Sequence, residues 1–432
     1  MIKVYKDKIF LSILKDEDCV EYLTNITSII FSTNNIDIIK ENVIELSTPW
    51  VKKIQTDSNL LHSLLDNNNK DSLVDKNYIS DLAQSLYIFK GIISSGYETY
   101  LKYNSKDIQQ LLCTIFYELW NSLKILLLVN YQVLVENCIQ VTKVFMRTMK
   151  FEYFNSYLQE FFKIVVEGYT NKPYASYLYC LEIAICVFAY DLEDDLKLIL
   201  EKMFVVTYKT HLISKSDLDD NPQLTIDLFG ILFRSMKINP LIIMDNNFFE
   251  DMLKTAIDLI DIKHPECAIN IAYFLQKIFN FKKNPVILNQ TSEKINLYIT
   301  NFNKIIHNYG QTLVTKIFNY IVEVPLQPIF EQLIKLISNL YQNCQESCAW
   351  FREATIKVHE SILTNIEKDK LINSIKQFIE YLDKLNNLKA CDENESTAEK
   401  LQDDLAELDE KIEAYIYMMY KRSINYMNET NK

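Results

Sequence analysis

Five glycines and eight prolines in 432 residues are too few for a β fold. A sandwich or barrel of this length needs turn chemistry about every eight to twelve residues. The shortage of glycine also removes the phosphate-cradling loops: there is no G-x-G-x-x-G, no Walker sequence and no G-x-S-x-G elbow. Histidine is just as thin. The five, at 62, 211, 264, 307 and 359, lie far apart, and none stands in HExxH or in a Cys/His ligand pair. Nine cysteines are scattered singly, with no CxxC, and read as buried thiols of a reducing compartment. Metal, cofactor and enzyme readings therefore have no residues to stand on, and the expectation is a non-enzyme with no cofactor. Arginine numbers 4 against 41 lysines, and asparagine is abundant. We read both as base composition of the source genome and give neither a mechanism.

Long apolar runs are missing too. The stretch MIKVYKDKIFLSILKDEDC has no uninterrupted apolar core of a signal peptide. The most apolar span, Leu119 to Val141, is broken by Asn121, Lys124, Asn130 and Glu136. No membrane partner is expected. What is present is ordinary for a globular chain, 49% hydrophobic and 24% charged, so an apolar core can form. The net charge of −12, with a pI near 5.1, disfavours nucleic acid and anionic membranes and favours basic partners. The chain is too long for one compact core yet shows no interdomain linker, which points to an elongated all-α repeat array.

The clearest unit runs from Asn221 to Phe281. Asn221-Pro222 places an N-cap before a proline at the first helical position, where the missing N–H costs no bond. Leu224, Leu228, Ile231, Leu232 and Met236 then recur at steps of three and four, with Phe229 and Phe233 widening the stripe. Pro240 ends that helix. A second stripe follows at Phe249, Met252, Leu253, Ala256, Ile257 and Ile260, and His264-Pro265 breaks it, His264 being a helix-start residue. Ala268, Ile271, Phe274, Leu275 and Ile278 form the third. Stripes joined by such short breaks spell a HEAT/armadillo-like α-solenoid, a superhelix of antiparallel helix pairs.

The same pattern predicts helices over 17–31, from Ser47-Thr48-Pro49-Trp50 as a cap to Leu65, then 78–101, 108–129, 132–150, 154–168, 173–190 and 192–209. Beyond the central unit it predicts 291–308, 310–321, 328–343, 347–363 and 368–389, about nine pairs at roughly 40 to 47 residues each. The Tyr-rich run Tyr169, Tyr174, Tyr177, Tyr179 reads as packing. Residues 1–390 form the solenoid. Nine acidic residues between Asp392 and Glu410 mark an acidic loop over 391–410. Leu401, Leu405, Leu408, Ile412 and Tyr415 or Ile416 keep helical spacing, so 411–432 reads as a C-terminal capping helix and tail.

The series NP, DLFGILFR, NPLIIM, then Met252 to Ile257 and HPECAINIAYFLQKIF resembles the importin-β karyopherins of the transportin-SR and importin-13 branch. Gly310-Gln311-Thr312-Leu313-Val314 resembles the helix that follows there, and Cys348-Ala349-Trp350-Phe351 its later C-x-W-L segment. The resemblance covers most of residues 10–385 and matches the central to C-terminal HEAT repeats of such a receptor. It implies a nuclear transport receptor that binds cargo on the concave face of the solenoid and shuttles between cytoplasm and nucleus. By the same resemblance its partners are cargo proteins with basic or Arg-Ser-rich segments, Ran GTPase and nuclear-pore Phe-Gly repeats. The N-terminal repeats that contribute most Ran contacts in the family have no counterpart, so the chain reads either as a fragment or as a receptor without its Ran-binding half. A HEAT scaffold of another complex, such as a phosphatase regulatory subunit, has the same fold and stays open.

Two sets of residues are candidate contacts. Asn137, Gln140, Lys143 and Arg147 match the helix that resembles the arginine-lined cargo stripe of transportin-SR. They share one helix face but offer two cations in place of a row, and Asn or Gln supplies only a neutral hydrogen bond to phosphate. Asp191, Glu193, Asp194 and Asp195 open a helix, where carboxylates complement the positive dipole end. At a rim they would hold Lys or Arg of a partner.

Overall fold

The computed structural model describes residues 16–33, 35–68, 74–212, 221–323, 327–344 and 346–362. Among them every helix or strand assignment is helical. The chain divides into two compact units, Met1–Thr210 and His211–Lys432.

In the first unit the long helices are α1 (Asp16–Phe31), α2 (Ile36–Asn68), α3 (Lys76–Tyr103), α4 (Lys106–Leu128), α5 (Gln132–Asn171), α6 (Ala175–Phe188) and α7 (Glu193–Thr207). A π-turn, Tyr208–Leu212, follows α7. α3 starts on Asp75, whose carboxylate accepts from the Asn77 amide at 2.9 Å, and ends on Asn104 in the left-handed conformation, φ 48°. α5 is broken at Lys150, where φ is 51° and ψ −168°. The expected division into 132–150 and 154–168 is therefore present, with a single non-helical residue for a joint.

The helices pack as two rows. α1, α3, the first half of α5 and α6 stack in one; α2, α4, the second half of α5 and α7 stack in the other. Phe89 of α3 lies 6.4 Å from Phe145, and Lys143 reaches Tyr179 of α6, which fixes the first half of α5 in its row. Trp120 of α4 donates to Glu160 at 2.9 Å, and Tyr169 meets Thr207 of α7, which fixes the second half. Between the rows, Phe116, Phe145, Phe154 and Tyr157 form a continuous aromatic core with centroids 5.0–5.2 Å from Phe116. α4 is long and apolar enough to cross a membrane, but Ile108, Leu112, Phe116, Leu119, Leu123 and Leu127 are buried against these neighbours, as befits a core helix.

Two expectations need correcting. Pro49 does not start a helix; it sits inside α2, which runs unbroken from Ile36 to Asn68. Ser47 and Thr48, expected to cap, turn their hydroxyls back onto the Ile44 carbonyl, Thr48 at 2.6 Å. Burial of Val43, Leu46, Val51 and Ile54 on both sides of the proline outweighs its usual cost of about 3 kcal/mol. Gly310 likewise does not divide two helices.

The second unit contains α8 (Pro222–Ile238), α9 (Phe249–Leu259), α10 (Pro265–Phe279), α11 (Ser292–Glu323), α12 (Gln327–Asn343) and α13 (Ser347–Ile362), with short turns at Leu241–Met244, Phe281–Lys283 and Pro285–Leu288. The three sequence stripes fall on α8, α9 and α10, and all their residues are buried except the half-buried Phe233. Asn239 is extended ahead of Pro240, so α8 ends where expected. Asn221 and His264 stand at N-cap positions without a side-chain capping bond, and His264 Nδ1 is buried with no hydrogen-bond partner among the described residues. α8, α10 and α12 stack in one row, with Phe229 6.0 Å from Phe274 and Gln276 donating to the Gln332 carbonyl at 2.8 Å. α11 packs on α9 and α13. α11 passes straight through Gly310, whose missing side chain makes room for Trp350: a Cβ there would sit 3.0 Å from Trp350 Cε3 and closer still to two further ring carbons. The expected helix at 368–389, the loop at 391–410 and the cap at 411–432 lie outside the described residues.

Candidate functional site: a groove between α5 and α7

The second half of α5 and α7 are neighbours in one row and leave a groove of about 590 Å³ between them. Their C-terminal ends are tied by the Tyr169–Thr207 hydroxyl pair at 2.5 Å. Both helices line the groove from their early turns onward, so they run side by side in the same direction. Along α5 the open edge is Asn155, Gln159, Lys163 and Glu167, one residue per turn, above Leu158, Phe162 and Val166. Along α7 it is Asp195, Leu198 and Lys202 above Ile199, with Leu198 50% exposed. The local sequence explains this. The α5 residues facing the core, Phe154, Leu158, Phe161 and Val165, leave the 155–159–163–167 line on the outside of an amphipathic helix.

The acidic run falls at one mouth of this groove. Asp191 lies in the turn after α6, while Glu193, Asp194 and Asp195 form the first turn of α7. Asp194 is already paired with Lys197 at 3.0 Å, and Asp195 alone of the four lines the groove. At the other end stand Lys163 and Lys202, with Glu167 offsetting one of the two charges. A second groove of about 310 Å³, between α2 and α4, is bridged by the Lys40–Asp107 pair at 3.5 Å and offers less open surface.

Asn137, Gln140, Lys143 and Arg147 lie in the other row, on the first half of α5, and all four are half-buried. Asn137 bonds its own helix through the Val133 carbonyl at 2.8 Å. The Lys143 ammonium donates to the Tyr179 hydroxyl at 2.5 Å. Neither Lys143 nor Arg147 makes an ion pair among the described residues. The remaining tyrosines are packing, as expected: Tyr169 and Tyr177 are buried, and Tyr174 stacks on Tyr177 at 6.4 Å. Sequence reasoning singled out Asp195 by its charge but missed Asn155, Gln159, Lys163 and Lys202. The four-residue spacing of the amides was a visible signal; the partner helix forty residues on was not.

Among the described residues no three His, Cys, Asp or Glu side chains come together as metal ligands. Burial pushes the Cys138 and Cys180 thiols far above their ordinary value, Cys180 to about 12, which suits packing. The Glu160 carboxyl is held below its usual range by hydrogen bonds from Lys124 and Trp120.

No protein-family profile matches the chain, and no curated protein matches it in sequence. Solved structures do. Importin-13 in its cytosolic state aligns with a TM-score of 0.64 at 13% identity, over 93% of this chain and 41% of that one. An engineered protein, at TM-score 0.40 and 12% identity over 96% of this chain and 99% of its own, carries no argument. Neither does Kap121p, at 0.18 and 10% over 95% and 54%. The chain thus spans less than half the length of importin-13 and shares its all-α solenoid fold.

Proposed function

We propose that this chain is the cargo-binding solenoid of a karyopherin-type nuclear transport receptor, a binding protein and not an enzyme. The observation that carries the reading is the importin-13 likeness over 93% of the chain, which agrees in kind with the ordered sequence motifs. The branch, the Ran dependence of import, docking to nuclear-pore Phe-Gly repeats and shuttling between cytoplasm and nucleus follow from that resemblance and belong to the proposal. Cargo is a protein with a basic segment: a surface of net charge −12 attracts Lys/Arg-rich chains and repels phosphates. In the Asn137, Gln140, Lys143, Arg147 stripe, Lys143 is engaged by Tyr179, so Arg147 is its main outward cation.

The test has two parts. The labelled chain is added to permeabilised cells with a basic-segment reporter, and energy-dependent nuclear accumulation of the reporter is expected; no accumulation above a reporter-only control refutes the transport reading. In solution, a basic peptide should bind better than a phosphorylated Arg-Ser peptide, with attraction falling between low and physiological salt. Tighter binding of the phosphopeptide, abolished by Lys143→Ala with Arg147→Ala, would show that the stripe keeps the phosphate-binding role.

A further inference from the structure

We propose that the groove between the second half of α5 and α7 holds one extended partner segment in which a basic residue, an apolar anchor and an acidic residue follow one another within about four residues. This rests on the reading of the chain as a protein-binding receptor, and names what part of a partner it takes. The groove is chemically polar along its length. Asp195 stands at its early end and Lys163 with Lys202 at its late end, both helices running the same way. From Asp195 to Lys202 is seven helical residues, about 10 Å of rise. An extended chain advances about 3.3 Å per residue, so a cation over Asp195 and a carboxylate over Lys202 belong about three residues apart. Between them Leu198, half exposed, faces Phe162 across an apolar floor that fits one or two aliphatic side chains. Asn155 and Gln159 supply amide donors and acceptors along the edge, suited to the backbone of a segment that is not helical and whose own peptide groups need partners. A helical occupant would leave those amides facing side chains only, and a phosphorylated one would meet Asp195.

The experiment uses the full chain and labelled eight-residue peptides carrying Lys-Ile-Leu-Glu, Lys-Ile-Leu-Lys, Glu-Ile-Leu-Glu or Lys-Ser-Ser-Glu at their centre, followed by fluorescence anisotropy. Lys-Ile-Leu-Glu should bind at least tenfold more tightly than the other three. Asp195→Lys should shift the preference to Glu-Ile-Leu-Glu, Lys202→Glu with Lys163→Glu should shift it to Lys-Ile-Leu-Lys, and Leu198→Asp should weaken all of them. These positions are exposed, and unchanged circular dichroism and melting of each variant confirm that folding is retained. No binding, or binding indifferent to the three sites, overturns the proposal. Concentration-dependent self-association lost in Leu198→Asp would also overturn it, since the groove would then belong to a second copy. Failure of nuclear accumulation alone would sink the transport reading while leaving the peptide preferences standing.

Discussion

Replacing Gly168 by Ala tests the packing at the end of α5. Gly168 is buried, and a Cβ there would lie 2.7 Å from Tyr177 Cζ, 2.9 Å from the Leu127 carbonyl oxygen and closer still to the Tyr177 hydroxyl. The Tyr177 ring cannot step aside easily: it is 1% exposed, lies 6.3 Å from Tyr169 edge-on and stacks on Tyr174. Its hydroxyl donates to the Leu127 carbonyl at 2.5 Å, near the end of α4, where carbonyls lack helical partners. Alanine gains about 1 kcal/mol over glycine in helix propensity. Against that stand about 1–3 kcal/mol of overpacking and about 1–3 kcal/mol for a carbonyl left unsatisfied when the tyrosine moves. Gly168→Ala should therefore destabilise the first unit by about 3 kcal/mol, within a range of about 1–5. Tyr177→Phe removes the hydroxyl, and in the double variant the two losses should overlap by about 0.5–3 kcal/mol. The two units need not unfold together. Amide hydrogen exchange over residues 120–180, read by mass spectrometry, gives the local value. An alanine variant more protected than the parent by about 1 kcal/mol, the propensity effect alone, would refute the packing argument.

Three further outcomes follow from the same geometry. Trp350→Ala should destabilise the second unit by about 3–5 kcal/mol, as for a large buried aromatic, with thermal melting as readout. Glu160 has its folded pKa below the unfolded value near 4.5, so its contribution is present above that value and fades as pH falls through the lower, folded one; Glu160→Gln should flatten the acid limb of a stability–pH curve. With iodoacetamide at pH 8, the exposed Cys186 should be alkylated well before the buried Cys138 and Cys180, and equal rates of labelling in the native protein would contradict the assigned packing.

Much of the fold was legible because its signals are local. Pro240 and His264-Pro265 break helices through the geometry of the residue before proline, and the stripes on α8, α9 and α10 report burial directly. What misled was also local. Ser-Thr-Pro-Trp has the composition of a helix start, and only the burial of α2 on both sides of Pro49 shows that the helix continues. Gly310 looked like a boundary, whereas its missing side chain makes room for Trp350, forty residues later. The two patches that carried the family resemblance around Gly310 and Trp350 are thus halves of one contact. The groove was out of reach for a similar reason. Its charged ends, Asp195 and Lys202, sit seven residues apart on α7, but nothing in that stretch says that Asn155 to Glu167 lies alongside.

The joint at Lys150 bears on how the first unit folds. Its two flanking half-helices belong to different rows, yet a single residue connects them. Loop-closure entropy, which grows with the length of chain to be closed, is therefore minimal there. Phe116 of α4 meets both Phe145 and Phe154, on either side of the joint, and so gathers the two halves of α5 on one partner. The one-residue joint makes the hairpin at 132–171 with α4 the expected nucleus, onto which α1 to α3 on one side and α6 and α7 on the other accrete. Conservative truncations at Phe145, Phe154 and Phe161 should slow folding with φ-values of about 0.5–0.8, while truncations in α1 and α7 should mainly speed unfolding.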